Sequence, residues 1–255
     1  YMLVVNCSNI EKNFDWIMAN KPENVDFANT SSSIDLIAIQ GPKSREILEN
    51  YTNIDLKNID YYHFSIANVC GSPVTLSRTG YTGELGYEIY ADGNAIKNIW
   101  RTILSSEESV IPAGLGCRDT LRMEMKYVLY GNDISEKTNP IEAGLGWITK
   151  TNKTSFVGKE KLLDLQLSHS KKLICFAMID RGIPRPGYKI HSDLGVIGSV
   201  TSGTQSPSLK KGIGLAYVKK EFSGVGTSLF IDVRGRQLRC EVVKPPFYKN
   251  GSVFS

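Results

Sequence analysis

The chain has 255 residues and a mass of 28.3 kDa, with 41% apolar and 22% charged side chains. Such a chain folds to roughly 11,000 Å² of surface against about 41,000 Å² extended, enough burial for one large domain or two ordinary ones. The composition excludes wholesale disorder. The formal charge is +4, from 30 basic and 26 acidic residues, a mild bias that steers anionic ligands toward a cleft. It is not a nucleic-acid surface, because the densest basic runs, Lys210-Lys211 and Lys219-Lys220, carry no interleaved aromatics.

Cys7, Cys70, Cys117, Cys175 and Cys240 are odd in number and scattered, without CxxC spacing. They predict reduced thiols of a cytoplasmic or organelle-matrix protein and neither a disulfide framework nor a zinc site. No signal-peptide pattern opens the chain, and apolar runs such as Met2 to Val5 are too short to span a bilayer.

Tyr1 to Val5 reads as a buried strand already under way, which predicts further chain upstream. Ser8-Asn9-Ile10-Glu11 has capping-box spacing, followed by a short helix with Phe14, Ile17 and Met18 on one face. Ile34 to Ile39 predicts a strand, and Gly41-Pro42 opens a helix that buries Ile47 and Leu48. Phe64 to Val69 and Val74 to Leu76 predict a hairpin turning at Cys70-Gly71-Ser72-Pro73. Tyr87 to Tyr90 is strand-like, and Ala95 to Leu104 places Ile96, Ile99, Trp100 and Ile103 at helical spacing. Gly116 to Tyr127 forms a further helix presenting Leu121, Met125 and Val128.

After about residue 167 the pattern changes. Leu173 to Ile179, Tyr188 to Ile190, Gly195 to Thr201, Ile213 to Val218, Ser228 to Val233 and Leu238 to Val243 are short β runs separated by glycine or proline. They predict an antiparallel barrel or sandwich over residues 168–255, behind a mixed α/β region over residues 1–167.

The segment Ser77 to Glu88 carries Gly80, Gly83 and Gly86, each three apart. This excludes a comfortable helix and has neither the Rossmann nor the P-loop spacing. Two readings stand. The loop can simply join two strands, with Arg78 and Glu84 solvated. Alternatively it presents Tyr81 as a flat apolar surface and Glu88 as an acceptor for a cyclic amidine or guanidine edge, such as that of a pterin. Arg118 opens a helix, where a cation gains nothing from the dipole and an anion is welcome; the neighbouring Asp119, Arg122 and Glu124 also read as i,i+4 helix stabilisation. Tyr127 and Tyr130, in aromatic-rich loop segments, read as core aromatics, and Trp147 as a wedge at a domain interface. His63, His169 and His191 are far apart and no nucleophile elbow is present, so hydrolase and metal chemistry find no local support.

The runs SRTGYTGELGYEI, AGLGCRDTLRMEMKYVLYGNDI and NPIEAGLGW, followed by FVGKE, VTSGTQSPSL, KGIGLAYV, VRG and PPFY, are in the order seen in one family. The chain resembles the aminomethyltransferases, or T-proteins, of the glycine cleavage system. The resemblance implies an α+β cloverleaf of two interwoven mixed lobes and a C-terminal antiparallel β-barrel. It also implies that a lipoyl-bound aminomethyl group gives its methylene unit to tetrahydrofolate with release of ammonia, and that the partner is the lipoylated carrier, or H-protein. Position by position, it places Tyr81, Glu88, Arg118 and Asn6 in the folate pocket and Tyr127 and Trp147 near the cavity, while Glu84 is structural. The aspartate that assists the reaction is expected upstream of Tyr1, and none of Asp15, Asp26 or Asp35 inherits its role. No metal is implied, nor a nucleic acid or membrane partner. A cytoplasmic location is implied, or the mitochondrial matrix in a eukaryote.

Two relatives by function compete. A folate-dependent demethylase would keep the folate segments and change the donor side. A folate-binding maturation protein would carry K-G-C-Y-x-G-Q-E near residues 156–160, where this chain has FVGKE without that cysteine.

Overall fold

The computed structural model describes residues 1–253. Contacts divide the chain into two compact units, Tyr1–Gly114 with the segment from Gly251 onward, and Leu115–Asn250.

The first unit is built on a four-stranded antiparallel sheet in the order β1-β4-β3-β2. Its strands are β1 (Asp35–Gln40), β2 (Phe64–Val69), β3 (Ser72–Ser77) and β4 (Gly86–Ala91). Alternation puts Val69, Val74, Leu76 and Ile89 on one face, where Ile47 and Leu48 of helix α2 (Ser44–Glu49) and Ile96, Ile99 and Ile103 of helix α3 (Gly93–Ser106) complete the core. The Asp92 carboxylate accepts from the Asn94 and Ala95 amides and caps α3, a contribution of ~1 kcal/mol. Trp100 lies at the edge of the apolar stripe and stays 44% exposed. The hairpin turn is tighter than expected. Only Cys70 and Gly71 form it, with φ of 49° and 78°, as a two-residue type I′ turn requires. Ser72 and Pro73 already pair with Val69 and Asn68.

Two expectations near the front are corrected. Tyr1 to Val5 is not a buried strand: it has no regular structure, and all five side chains are exposed. A strand needs a neighbour for its backbone hydrogen bonds, and no described strand pairs with it. The Ser8 capping box is also absent. A 3-10 turn at Cys7–Asn9 precedes helix α1 (Ile10–Asn20), and Asn6 caps that turn by accepting from the Ser8 amide at 3.1 Å. Helix α1 buries no residue, and Met18 is exposed rather than packed.

The second unit holds helices α4 (Leu115–Glu124) and α5 (Lys159–Ser168) and a closed barrel. Its six strands are β5 (Lys171–Met178), β6 (Lys189–Ser192), β7 (Gly195–Ser206), β8 (Lys211–Lys219), β9 (Ser228–Val233) and β10 (Arg236–Val243), closed in the order β10-β5-β8-β7-β6-β9. Ile174, Phe176, Ile190, Val218, Ile231 and Val242 pack together in its core. Leu173, Cys175 and Leu215 form a separate cluster with Val128, Val243 and Phe247. Closure leaves no unpaired edge. The fold class is thus the expected one, a mixed α+β unit and a C-terminal antiparallel barrel.

Helix α4 corrects the expected packing. Its buried residues are Arg122, Met123 and Glu124, while Leu121, Met125 and Val128 are only partly covered. The side of the helix that packs on β7 meets hydroxyls as well as apolar groups, and charged side chains are the better match there.

Candidate functional site

The three glycines of the loop after β3 have separate causes. A Cβ on Gly80 would lie 2.0 Å from Gln40 Oε1, and one on Gly86 would lie 2.4 Å from the same amide. Gly83 takes φ of 77°. The space so freed is filled by Gln40 at the end of β1. Its Nε2 donates to the Thr79 and Tyr87 carbonyls at 3.1 and 3.3 Å, and its Oε1 accepts from Thr82 Oγ1 at 3.0 Å. One amide therefore shapes the loop from beneath. Gln40 carries no motif of its own, and sequence reasoning missed it.

Glu84 is tied to the far end of the described chain rather than solvated. Its Oε2 accepts from the Ser252 amide at 3.0 Å and from the Ser252 hydroxyl, whose oxygen in turn accepts from the Leu85 amide at 3.0 Å. The chain's last described residues thereby hold the glycine loop from its outer side.

Glu88 lies on the sheet face away from the core. Cross-strand register puts Phe64, Ser77, Glu88 and Ala38 in one row and Ile66, Thr75, Tyr90 and Leu36 in the next. Phe64, Ile66 and Leu36 are 66%, 68% and 42% exposed, so the carboxylate sits on an open apolar shelf. Its orientation is fixed by two donors to one oxygen. Thr79 Oγ1 and the Tyr90 hydroxyl both donate to Oε2, the latter at 3.1 Å. Among the described residues no donor reaches Oε1. Of about four acceptor positions on a carboxylate, the two on Oε1 remain for a ligand. Burial first, and then the Glu88 charge and hydrogen bond, push the Tyr90 phenol well above its ordinary range, so Tyr90 stays a donor. Sequence reasoning missed Thr79 and Tyr90; for Tyr90 the available signal is its period-two spacing from Glu88. Tyr81, in the same loop, is half-buried.

In the second unit Arg118 is exposed on the first turn of α4. Four residues on, Arg122 is 1% exposed and engages all three of its guanidinium nitrogens. Nε and Nη2 reach Asp119 Oδ1 at 2.8 and 2.7 Å, and Nη1 reaches Asp133 Oδ2 at 2.6 Å and the Tyr127 carbonyl at 3.1 Å. Nη2 also donates to Ser202 Oγ at 2.8 Å. The charges read as i,i+4 helix stabilisation thus form a buried centre, because the 127–134 loop folds back over α4. Glu124, equally buried, accepts from the Ser206 and Ser208 hydroxyls and from the Ser208 amide. Tyr127 is half-buried, and Trp147 is 70% exposed.

The candidate residues therefore divide evenly. Asn6, Tyr81 and Glu88 belong to the first unit, and Arg118, Tyr127 and Trp147 to the second. The Asn6 side-chain oxygen is already engaged by the Ser8 amide and hydroxyl and by Asn9, which leaves its amide nitrogen for other work.

The profile of the GCVT N-terminal domain matches residues 1–153, and that of the glycine cleavage T-protein C-terminal barrel domain matches residues 171–249. The chain belongs to the glycine cleavage T-protein family. It is 47% identical over 250 residues to an aminomethyltransferase of Halothermothrix orenii, covering 97% of this chain and 70% of that relative. A Bacteroides thetaiotaomicron aminomethyltransferase is 48% identical over 255 residues, covering 98% and 71%. The crystal structure of the glycine cleavage system aminomethyltransferase T from Bartonella henselae superposes with a TM-score of 0.87 at 27% identity, covering 97% of this chain and 68% of that one. As a T-protein family member the chain falls in the aminomethyltransferase class, a tetrahydrofolate-dependent group of one-carbon transferases. No described helix is long and apolar enough to cross a membrane.

Proposed function

We propose that the chain transfers the methylene unit of an aminomethyl group, presented on the lipoyl arm of a carrier protein, to tetrahydrofolate. A folate nitrogen bonds the methylene carbon as the carbon–nitrogen bond breaks and the amine leaves as ammonia. A second folate nitrogen then bonds the same carbon as the carbon–sulfur bond breaks, and the two folate N–H protons end on the ammonia and on the thiol returned to the lipoyl arm. The observation that carries the folate assignment is Glu88. A half-buried carboxylate is locked by Thr79 and Tyr90 with Oε1 left outward on an apolar shelf, which suits a flat heterocycle bearing N–H donors along one edge.

Tyr81 supplies a ring face beside that carboxylate's loop, and Arg118 supplies a cation for the acidic end of the folate. Tyr127, Trp147 and Asn6 are assigned to the cavity wall. These residues place the acceptor, and placement removes much of the entropic barrier to attack. We assign no residue of this chain to proton handling. The charge of +4 favours encounter with an acidic carrier and with polyglutamylated folate. The five free cysteines and the bacterial relatives support a cytoplasmic location.

The test is ammonia release from aminomethyl-loaded carrier, with and without tetrahydrofolate. Release is expected to depend on both the protein and folate. Release that ignores folate rejects the reaction.

A further inference from the structure

We propose that Arg122 is the positioning residue of this site, fixing where Arg118 and Tyr127 stand by tying both to barrel strand β7. The inference rests on the folate role proposed for Arg118.

Arg118 lies one helical turn before Arg122, so whatever fixes α4 at Arg122 sets the origin from which Arg118 projects. The Tyr127 carbonyl is itself a partner of Arg122 Nη1 at 3.1 Å. Asp133 extends the grip by accepting from the Leu129 amide at 2.9 Å, which pins the loop that follows Tyr127. The barrel supplies the opposite anchor. Ser202 Oγ accepts from Arg122 at 2.8 Å, and Thr201 Oγ1 donates to Asp133 Oδ1 at 2.5 Å.

Consecutive residues of a regular strand face opposite sides, so Thr201 and Ser202 would not both serve this centre. Strand β7 has a bulge there: Val200 pairs with Ala216 and Ser202 with Leu215, leaving Thr201 as the extra residue. Bulges re-aim side chains, and this one turns two successive hydroxyls toward the ion pair. A lysine could keep the charge but offers three donors on a point charge, where the guanidinium spreads five over a planar fork. Exposed Arg118 is therefore held by a buried arginine, and the bulge belongs to the site's geometry as much as the helix does.

The experiment is tetrahydrofolate titration of the full chain, comparing wild type with Ser202→Ala, Arg122→Lys, Arg118→Ala and the Ser202→Ala/Arg118→Ala double variant. Leu229→Ala, a barrel-core change away from α4, serves as the stability control, with Tm measured for all. Arg118→Ala is expected to weaken binding at least about tenfold, and Ser202→Ala and Arg122→Lys by about three- to tenfold. The double variant should bind clearly better than the product of the two single effects implies, because a mispositioned Arg118 that is absent has no further effect and only the displacement of Tyr127 remains. Leu229→Ala should lower Tm without weakening folate binding. The proposal is overturned if the Ser202 and Arg118 effects multiply, if Ser202→Ala leaves affinity unchanged, or if Leu229→Ala weakens it equally. Should Arg122→Lys fail to fold, Ser202→Ala carries the comparison unaided. Wild-type affinity that Arg118→Ala does not alter would instead remove the folate role of Arg118, and this inference with it.

Discussion

Arg122 and Asp133 meet at 2.6 Å with side chains 1% and 0% exposed, each sealed from water by the same loop and strand. A charge in such a place is tolerable only with its partner present. Arg122→Ala and Asp133→Ala are each expected to lower unfolding free energy by ~3–5 kcal/mol, and the double variant by clearly less than their sum. Urea unfolding of the three proteins measures this, and strict additivity would contradict it.

The glycine loop and Gln40 form a second coupled pair. Gly86→Ala forces the Gln40 amide out of its place, losing its bonds to Thr79, Tyr87 and Thr82. The expected cost is ~1–3 kcal/mol. In a Gln40→Ala background the same glycine change should cost much less, since the space is already empty. Equal costs in both backgrounds would show that Gly86 is needed for some other reason.

The Glu84–Ser252 contact predicts a local effect. Glu84→Ala removes the acceptor of the Ser252 amide and hydroxyl and so loosens the hydroxyl that receives the Leu85 amide. Hydrogen exchange at Leu85 should accelerate about tenfold, equivalent to ~1.4 kcal/mol, with the barrel amides unchanged. Unaltered exchange at Leu85 would mean that Glu84 does not hold this amide through Ser252.

Burial pushes the Cys175 and Cys240 thiols from an ordinary 9.0 up to about 12. Between those values the unfolded chain has lost these protons while the folded chain keeps them. Stability from the two thiols is therefore full below pH 9 and falls as pH rises toward 12. Lys126, lowered chiefly by burial, acts oppositely and gains stability with pH below the ordinary lysine value. Replacing both cysteines by alanine should flatten the alkaline loss of Tm. In native protein at pH 8, exposed Cys7 and Cys117 should react with a thiol reagent and Cys175 and Cys240 should not.

Much of the barrel was legible in the sequence because alternation is a local signal: Ser228–Val233 was predicted to the residue. The α3 face was legible for the same reason. The front of the chain was not. Tyr1 to Val5 has the composition of a buried strand, but burial depends on a neighbour that local pattern does not report. Arg122 misled in the other direction, because an i,i+3 pair with Asp119 looks the same whether or not a distant loop closes over it. Glu88 was found from its loop, whereas Thr79 and Tyr90 became visible only once register brought them onto one face. Gln40 had no local signal; only its long-range fit beneath Gly80 and Gly86 reveals it.

The central claim is that Glu88 recognises folate through the oxygen that Thr79 and Tyr90 leave open. Calorimetric titration of tetrahydrofolate against wild type and Glu88→Ala tests it most directly. Saturable binding to the wild type is expected, weakened by roughly tenfold or more when the carboxylate and its charge-assisted hydrogen bonds are removed. An unchanged dissociation constant in Glu88→Ala would contradict it.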